Sequence, residues 1–392
     1  MLKQCLKTFC VMIGIYFLAM ILVYLIPDKW LAGNINNGIE YIENKEGRWV
    51  SYYFETVGST TDSWTDISEM GNNLINEGDM NVVERAMDNG NYARYWHGNH
   101  IIIRILFVFF TYVQMRYISQ FVIIGSISIV FSLIWKKIDI GIASMFLVSI
   151  VMSYPFTIGM SLQYIIPFMV MIAGLYYILV KYKENMETGL YFFMIGSIIN
   201  FFDLLTFPLA SLLMPLVIAL IFRIRNDKCT SGGRNFAFLI KSSLLWTLGY
   251  AATWFSKWVL ATLILRKNIL FDAMESVLLR SGDDGGQIDR LEAVTRCFNT
   301  YFKVIPKLTY FVVLIIIIIL GFFSVKYRNN LKRAISRTWP FLTIAIIPNI
   351  WVFVLANHSY LHYGFVYRIY MGAAFAIGGF IVEYIRIIKE PF

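Results

Sequence analysis

Two aspartates four positions apart, Asp62 and Asp66, lie in the run Ser59-Thr60-Thr61-Asp62-Ser63-Trp64-Thr65-Asp66. At helical spacing they share a face with Glu69 and Asn73, while Trp64, Ile67, Met70 and Leu74 follow the opposite one. The pattern predicts an amphipathic helix over about 61–76 on a membrane surface, with Ser59 as cap and Asp62 three residues on. One account makes the acids a cap and a solvated face. The chemical account makes one aspartate a general base that takes a proton from an acceptor hydroxyl.

Two further groups carry chemistry. In Arg94-Tyr95-Trp96-His97-Gly98 and the His100 and Arg104 that follow, His97, His100 and Arg104 fall on one side of a helix. Tyr95 and Trp96 suit a membrane–water boundary. Arg104 stands inside the apolar run 101–113, which is costly unless it meets an anion, and a phosphate would satisfy it. The other group is Asn357-His358-Ser359-Tyr360-Leu361-His362-Tyr363, followed by Tyr367-Arg368. His358 and His362 straddle an expected turn, which weakens a shared metal, and Arg368 again wants an anionic partner. Lys257 and Asp203 are ionisable groups at or within apolar segments, for which mutual pairing and a role at the site both remain open.

The elements that must position these residues are membrane helices. Of 392 residues, 58% are hydrophobic and only 15% charged, and mean hydropathy is +0.62. A soluble chain would carry about a quarter charged residues. Apolar runs predict an all-α polytopic protein with about ten (nine to eleven) spans: 9–26, 117–135, 140–154, 162–180, 189–204, 206–222, 236–256, 308–325, 340–356 and 364–385. Residues 101–113 are read as an interfacial or re-entrant helix. The first span reads as a retained signal anchor, because Pro27-Asp28-Lys29-Trp30 follows it in place of a small-residue cleavage site.

Charge sets the expected orientation. Asp28 to Gly98 carries twelve acids against five bases, whereas the segments before span one and around 136–137, 223–234, 326–337 and 386–389 are basic. The positive-inside bias puts both termini in the cytoplasm and the loop 28–116 outside, in a single membrane domain spanning 1–392. A second outer loop, 266–307, contains Ser281-Gly282-Asp283-Asp284-Gly285-Gly286, read as a flexible turn. The net charge of +9 is explained by these cytoplasmic bases, and no basic-aromatic pattern indicates nucleic acid. Four cysteines (Cys5, Cys10, Cys229, Cys297) have neither metal spacing nor disulfide logic. P-loop, GxSxG, HExxH and dinucleotide motifs are absent.

One span, a large outer loop with early aspartates on a surface helix, and a bundle of further helices together resemble the GT-C superfamily of integral-membrane glycosyltransferases. The likeness rests on Asp62-Ser63-Trp64-Thr65-Asp66, on Tyr95-Trp96-His97-Gly98, on Phe202 to Thr206 and on Asn357-His358-Ser359. It implies a GT-C-like bundle and a polyprenyl-phosphate sugar donor bound from the outer leaflet. It also implies an inverting transfer to a cell-envelope glycan or lipid acceptor, with Asp62 or Asp66 as base. Arg94, His97, His100, Arg104, Lys257, His358, His362 and Arg368 are the positions for binding substrate and its phosphate. Many members carry adjacent acids, whereas these two are separated by three residues, so the base is open between them. No cofactor is required, although outer acids could hold a hard divalent cation, Mg or Mn, with the substrate phosphate. A lipid-linked glycan flippase, or an envelope polysaccharide polymerase, is the alternative.

Overall fold

The computed structural model describes residues 2–51, 56–75, 80–182, 188–225, 231–282, 288–303 and 306–390. Cys229 and the Asp283–Gly286 part of the expected turn lie outside them. Among the described residues the fold is all helix, with an isolated bridge between Ser51 and Thr60. Five segments are long and apolar enough to cross a membrane: Lys3–Tyr24, Tyr112–Lys137, Leu162–Lys181, Gly232–Leu265 and Tyr363–Lys389. A sixth forms if Phe311–Lys326 and Arg328–Thr338, bent by 97°, count as one. Ile140–Val151, Gly189–Phe202 and Pro340–Val354 are apolar but shorter. The chain is therefore a multipass helical membrane protein.

The first helix, Leu2–Tyr24, shows why such a segment needs lipid. Leu6, Val11, Ile15, Leu18 and Leu22 are exposed on one face, while Met12, Tyr16, Met20 and Val23 are buried on the other. With apolar residues on both faces, only a lipid solvent accommodates it. Ala210–Arg225 is the opposite case, apolar all round and buried from Ala210 to Phe222 at the centre of the bundle. Small residues let two helices meet backbone to backbone. A Cβ on Gly249 would collide with the Phe193 carbonyl, and one on Gly196 with that of Trp246, so Gly189–Phe202 and Gly232–Leu265 can pack this closely only through glycine.

Several local expectations change. The helix expected on the membrane surface, called the surface helix below, is Ser63–Asn72, but its acid face (Asp66, Glu69) is buried in the protein and Trp64 is exposed; its N-cap is Asp62, which accepts from the Thr65 amide, and Ser59 is not the cap. Val82–Asp88 opens with a complete capping box, Asn81 with Glu84. The second loop, 266–307, contains two helices, Ile269–Ser281 and Arg290–Phe302, on either side of the expected turn. Their apolar residues Phe271, Met274, Leu278 and Leu291 are exposed, as on helices that rest against lipid.

Candidate functional site

The Tyr95-Trp96-His97-Gly98 run is pinned to the bundle from both sides. The Trp96 indole donates to the Thr253 carbonyl at 2.8 Å, and the Trp254 and Trp258 indoles donate to the Arg94 carbonyl at 2.9 and 3.0 Å. Gly98 donates to the Phe201 carbonyl at 2.8 Å, and a Cβ there would press into the Phe201 ring. His97 takes a left-handed conformation with φ 53°, which turns its ring back toward the surface helix. These bonds fix where Arg94 and His97 stand.

A cavity of about 510 Å³ lies between this run and the surface helix. Thr65, Ser68, Glu69 and Asn72 form one wall; Asn91, Tyr92 and Arg94 form another. Gln163, Leu204, Ser276, Arg280, His358 and His362 complete it. Arg94 donates to Asp272 at 2.8 Å, but that carboxylate is 47% exposed, so the pair is weak and open to exchange. Arg280 reaches the Tyr92 hydroxyl at 3.4 Å and stacks 5.6 Å over the Tyr95 ring. It has no carboxylate partner among the described residues. Two guanidinium groups on one cavity suit a phosphate, which they can hold by paired, charge-assisted hydrogen bonds.

The two aspartates have different surroundings. Asp62 accepts from Thr65 Oγ1 at 2.7 Å and Gln163 Nε2 at 2.9 Å; both donor residues line the cavity, with Asp62 just beneath it. Asp66 turns away, into a nest made by Tyr112 Oη at 2.7 Å, Ser161 Oγ at 2.9 Å and the Leu162 amide at 3.0 Å. Burial pushes its carboxyl up to about 6, against the opposing pull of Arg116 and these donors. Asp66 thus braces the surface helix against Leu162–Lys181, and the cavity does not reach it. The two carboxylates thus make their bonds to different partners.

Three of the expected phosphate-binding cations are also placed elsewhere. Arg104 is fully buried and donates to the carbonyls of Val23 (3.1 Å), Asn73 (2.7 Å) and Ile26 (2.6 Å) and to Asp28 (2.6 Å). Arg368 spends its donors on the carbonyls of Ser153, Gly364 and Gly58, each at 3.2 Å. Lys257 donates to the Met87 carbonyl at 2.8 Å. Protein oxygens, not a phosphate, satisfy each of them. Asp203 is likewise committed locally, accepting from the Thr206 amide and hydroxyl.

The histidines divide into two pairs. His358 donates to the Leu205 carbonyl at 2.9 Å and its ring lies 4.9 Å from that of His362, with both at the cavity. Burial pushes His358 down to about 3 and lowers His362, where Asp62 pulls the other way. Both are therefore neutral hydrogen-bonding groups at neutral pH. His97 and His100 instead close on Glu69, at 3.3 and 3.2 Å from Oε2, with the Asn99 amide on the same oxygen. Burial disfavours the Glu69 anion, but His97 and His100 outweigh it and hold the carboxyl below its usual range. His100 is pushed down to about 4 by burial, against the pull of Glu69.

Sequence reading missed Arg280 and Gln163. Arg280 offered one signal, a cation at the end of an apolar helix bordering a glycine- and aspartate-rich turn; Gln163 offered none. No family model matches the chain, and no curated protein or solved structure matches it either.

Proposed function

We propose that the protein is a glycosyltransferase that moves a sugar from a polyprenyl-phosphate donor to an envelope glycan or lipid acceptor on the extracytoplasmic face. The observation that carries this reading is the cavity itself. It joins Arg94 and Arg280 on one side to Asp62, held by Gln163 and Thr65, on the other, beside the exposed apolar face of Ile269–Ser281. Prenyl chains would lie along that face while the phosphate sits between the arginines.

In this reading an acceptor hydroxyl replaces the Gln163 amide on Asp62 Oδ2. Its oxygen attacks the anomeric carbon, its proton passes to Asp62, and the carbon–oxygen bond to phosphate breaks with inversion. The departing phosphate takes the electron pair and is stabilised by Arg94 and Arg280. Donors aimed at a developing anion in a dry site are worth about 3–4 kcal/mol each. His358 and His362, neutral and at the cavity wall, orient the sugar hydroxyls.

The charges support this sidedness. The cavity lies at the start of Leu162–Lys181, whereas Lys181 lies at its far end, about 30 Å away by helix rise. Arg225, Asp139, Glu383, Arg386, Glu390 and Arg333 form a network of ion pairs that gathers the basic segments expected in the cytoplasm. On this reading the shorter apolar helices complete a bundle of about ten spans. A translocation path is less favoured, because Arg104, Lys257 and Arg368 are bound to backbone carbonyls.

The test is transfer in reconstituted vesicles supplied with radiolabelled polyprenyl-phosphate hexoses on the outer face. Wild type should release polyprenyl phosphate, and Asp62→Asn should lose transfer by about 10²–10⁴-fold. Full activity in Asp62→Asn sinks the assignment. Consumption of lipid-pyrophosphate oligosaccharides alone would favour the polymerase.

A further inference from the structure

We infer that Glu69, His97 and His100 form a binding site for a divalent transition cation of the zinc class, set into the wall of the cavity. Oε2 of Glu69 lies 3.3 Å from His97 Nδ1 and 3.2 Å from His100 Nε2. Ligand atoms at about 2.0–2.1 Å from a tetrahedral zinc stand roughly 3.3–3.4 Å apart, which matches these two spacings, and all three ligand atoms lie within 4.8 Å of one another. Among the described residues no other three His, Cys, Asp or Glu side chains gather in this way.

The outer nitrogen of His97 is held as in a metal-bound histidine, and that of His100 has a hydroxyl partner able to accept from it. His97 Nε2 lies 3.1 Å from the Tyr92 carbonyl, which can only accept, so that nitrogen carries a hydrogen. His100 Nδ1 lies 2.8 Å from the Tyr24 hydroxyl. An acceptor on the outer nitrogen turns the inner lone pair toward the metal. Without a cation, the inner nitrogen of His97 meets the carboxylate oxygen only through a shared proton. His100 Nε2 then remains, fully buried and with no hydrogen bond, and so does Asn99 Oδ1. A cation answers both: His100 Nε2 becomes a ligand, and Asn99, whose amide already touches the same carboxylate oxygen, can turn its Oδ1 in as a fourth.

One carboxylate and two imidazoles select zinc-class ions over magnesium or calcium, which prefer oxygen. Glu69 lines the cavity, so the ion would stand where a substrate oxygen can approach it. The site does not rest on the transfer reading, because occupancy can be measured with no substrate present.

The test uses the full chain in detergent, stripped with chelator and then titrated with Zn²⁺ while bound metal is counted by mass spectrometry. Wild type should take up about one equivalent and unfold at a higher temperature when loaded. His97→Gln and His100→Gln should each weaken binding by more than about tenfold. Co²⁺ in place of Zn²⁺ should give a visible tetrahedral absorption that both variants lose. Because a variant could fail to fold, the rise in wild-type unfolding temperature is the second readout. Absence of both uptake and thermal rise in wild type, binding unchanged in the variants, or equal binding of Mg²⁺ would overturn the inference and leave a cluster held by protons alone.

Discussion

Replacing Arg104 with leucine separates a structural role from a substrate-binding one. Its guanidinium closes the end of the first membrane helix by donating to Val23 and Ile26, bonds Asn73 at the end of the surface helix, and pairs with Asp28. Leucine fills part of the volume and removes that donor from three carbonyls, of which Val23 keeps the Ile26 amide at 3.2 Å. Asp28 keeps Arg85 at 2.8 Å and is 31% exposed, so its charge is partly compensated. Losing one of two partners on a part-exposed carboxylate costs about 1 kcal/mol or less, and each buried carbonyl left without a donor about 1–3 kcal/mol, so the loss is about 3–5 kcal/mol in all. The expected shift is on the order of 10 °C in thermal unfolding of the detergent-solubilised protein. Arg104→Lys should fall between, since one ammonium cannot reach all four acceptors. Had Arg104 held a phosphate, the variant would unfold normally and lose only affinity for the lipid donor. An unchanged unfolding temperature with a raised KM would refute the structural account.

Other predictions test the site and the bundle. Asp62→Asn should keep its thermal stability while losing transfer, since asparagine caps a helix as well as aspartate does; a large fall in unfolding temperature would contradict that separation. Arg280→Gln should raise the KM for a polyprenyl-phosphate sugar by about 10–100-fold, from the loss of one charged hydrogen bond, and an unchanged KM would remove Arg280 from the phosphate site. Gly249→Ala should destabilise by about 1–3 kcal/mol through its collision with the Phe193 carbonyl, seen as lower folded yield and earlier unfolding. The Asp66 carboxyl, raised from 3.8 to about 6 in the fold, costs nothing below the unfolded value and its full amount above 6. Wild-type stability should therefore fall relative to Asp66→Asn as pH rises through that window, by on the order of 3 kcal/mol, and parallel pH curves would show that the carboxyl is not raised.

The sequence by itself determined the solvent and the outline of the fold. Hydropathy over some twenty residues depends only on local composition, so helices such as Tyr112–Lys137 and Leu162–Lys181 were legible at once. Clusters of ionisable groups beside those helices also marked the loop 28–116 and the 357–363 segment as places where chemistry could occur, and the cavity draws on both. Which charged residue faces which partner was a tertiary decision. Arg104, Lys257 and Arg368 looked alike as cations in apolar runs, but apart from the Gly364 carbonyl on Arg368 their acceptors come from sequence positions tens to hundreds of residues away. Asp62 and Asp66 share a helical face in projection, yet the start of Leu162–Lys181 approaches between them, giving Gln163 to one and the Leu162 amide to the other. Glu69 came to His97 and His100 only because tryptophan bonds and a close glycine contact fold the 94–98 run back onto the surface helix. Periodicity sets the face of a helix, but the donors and acceptors opposite that face are fixed only when the bundle closes.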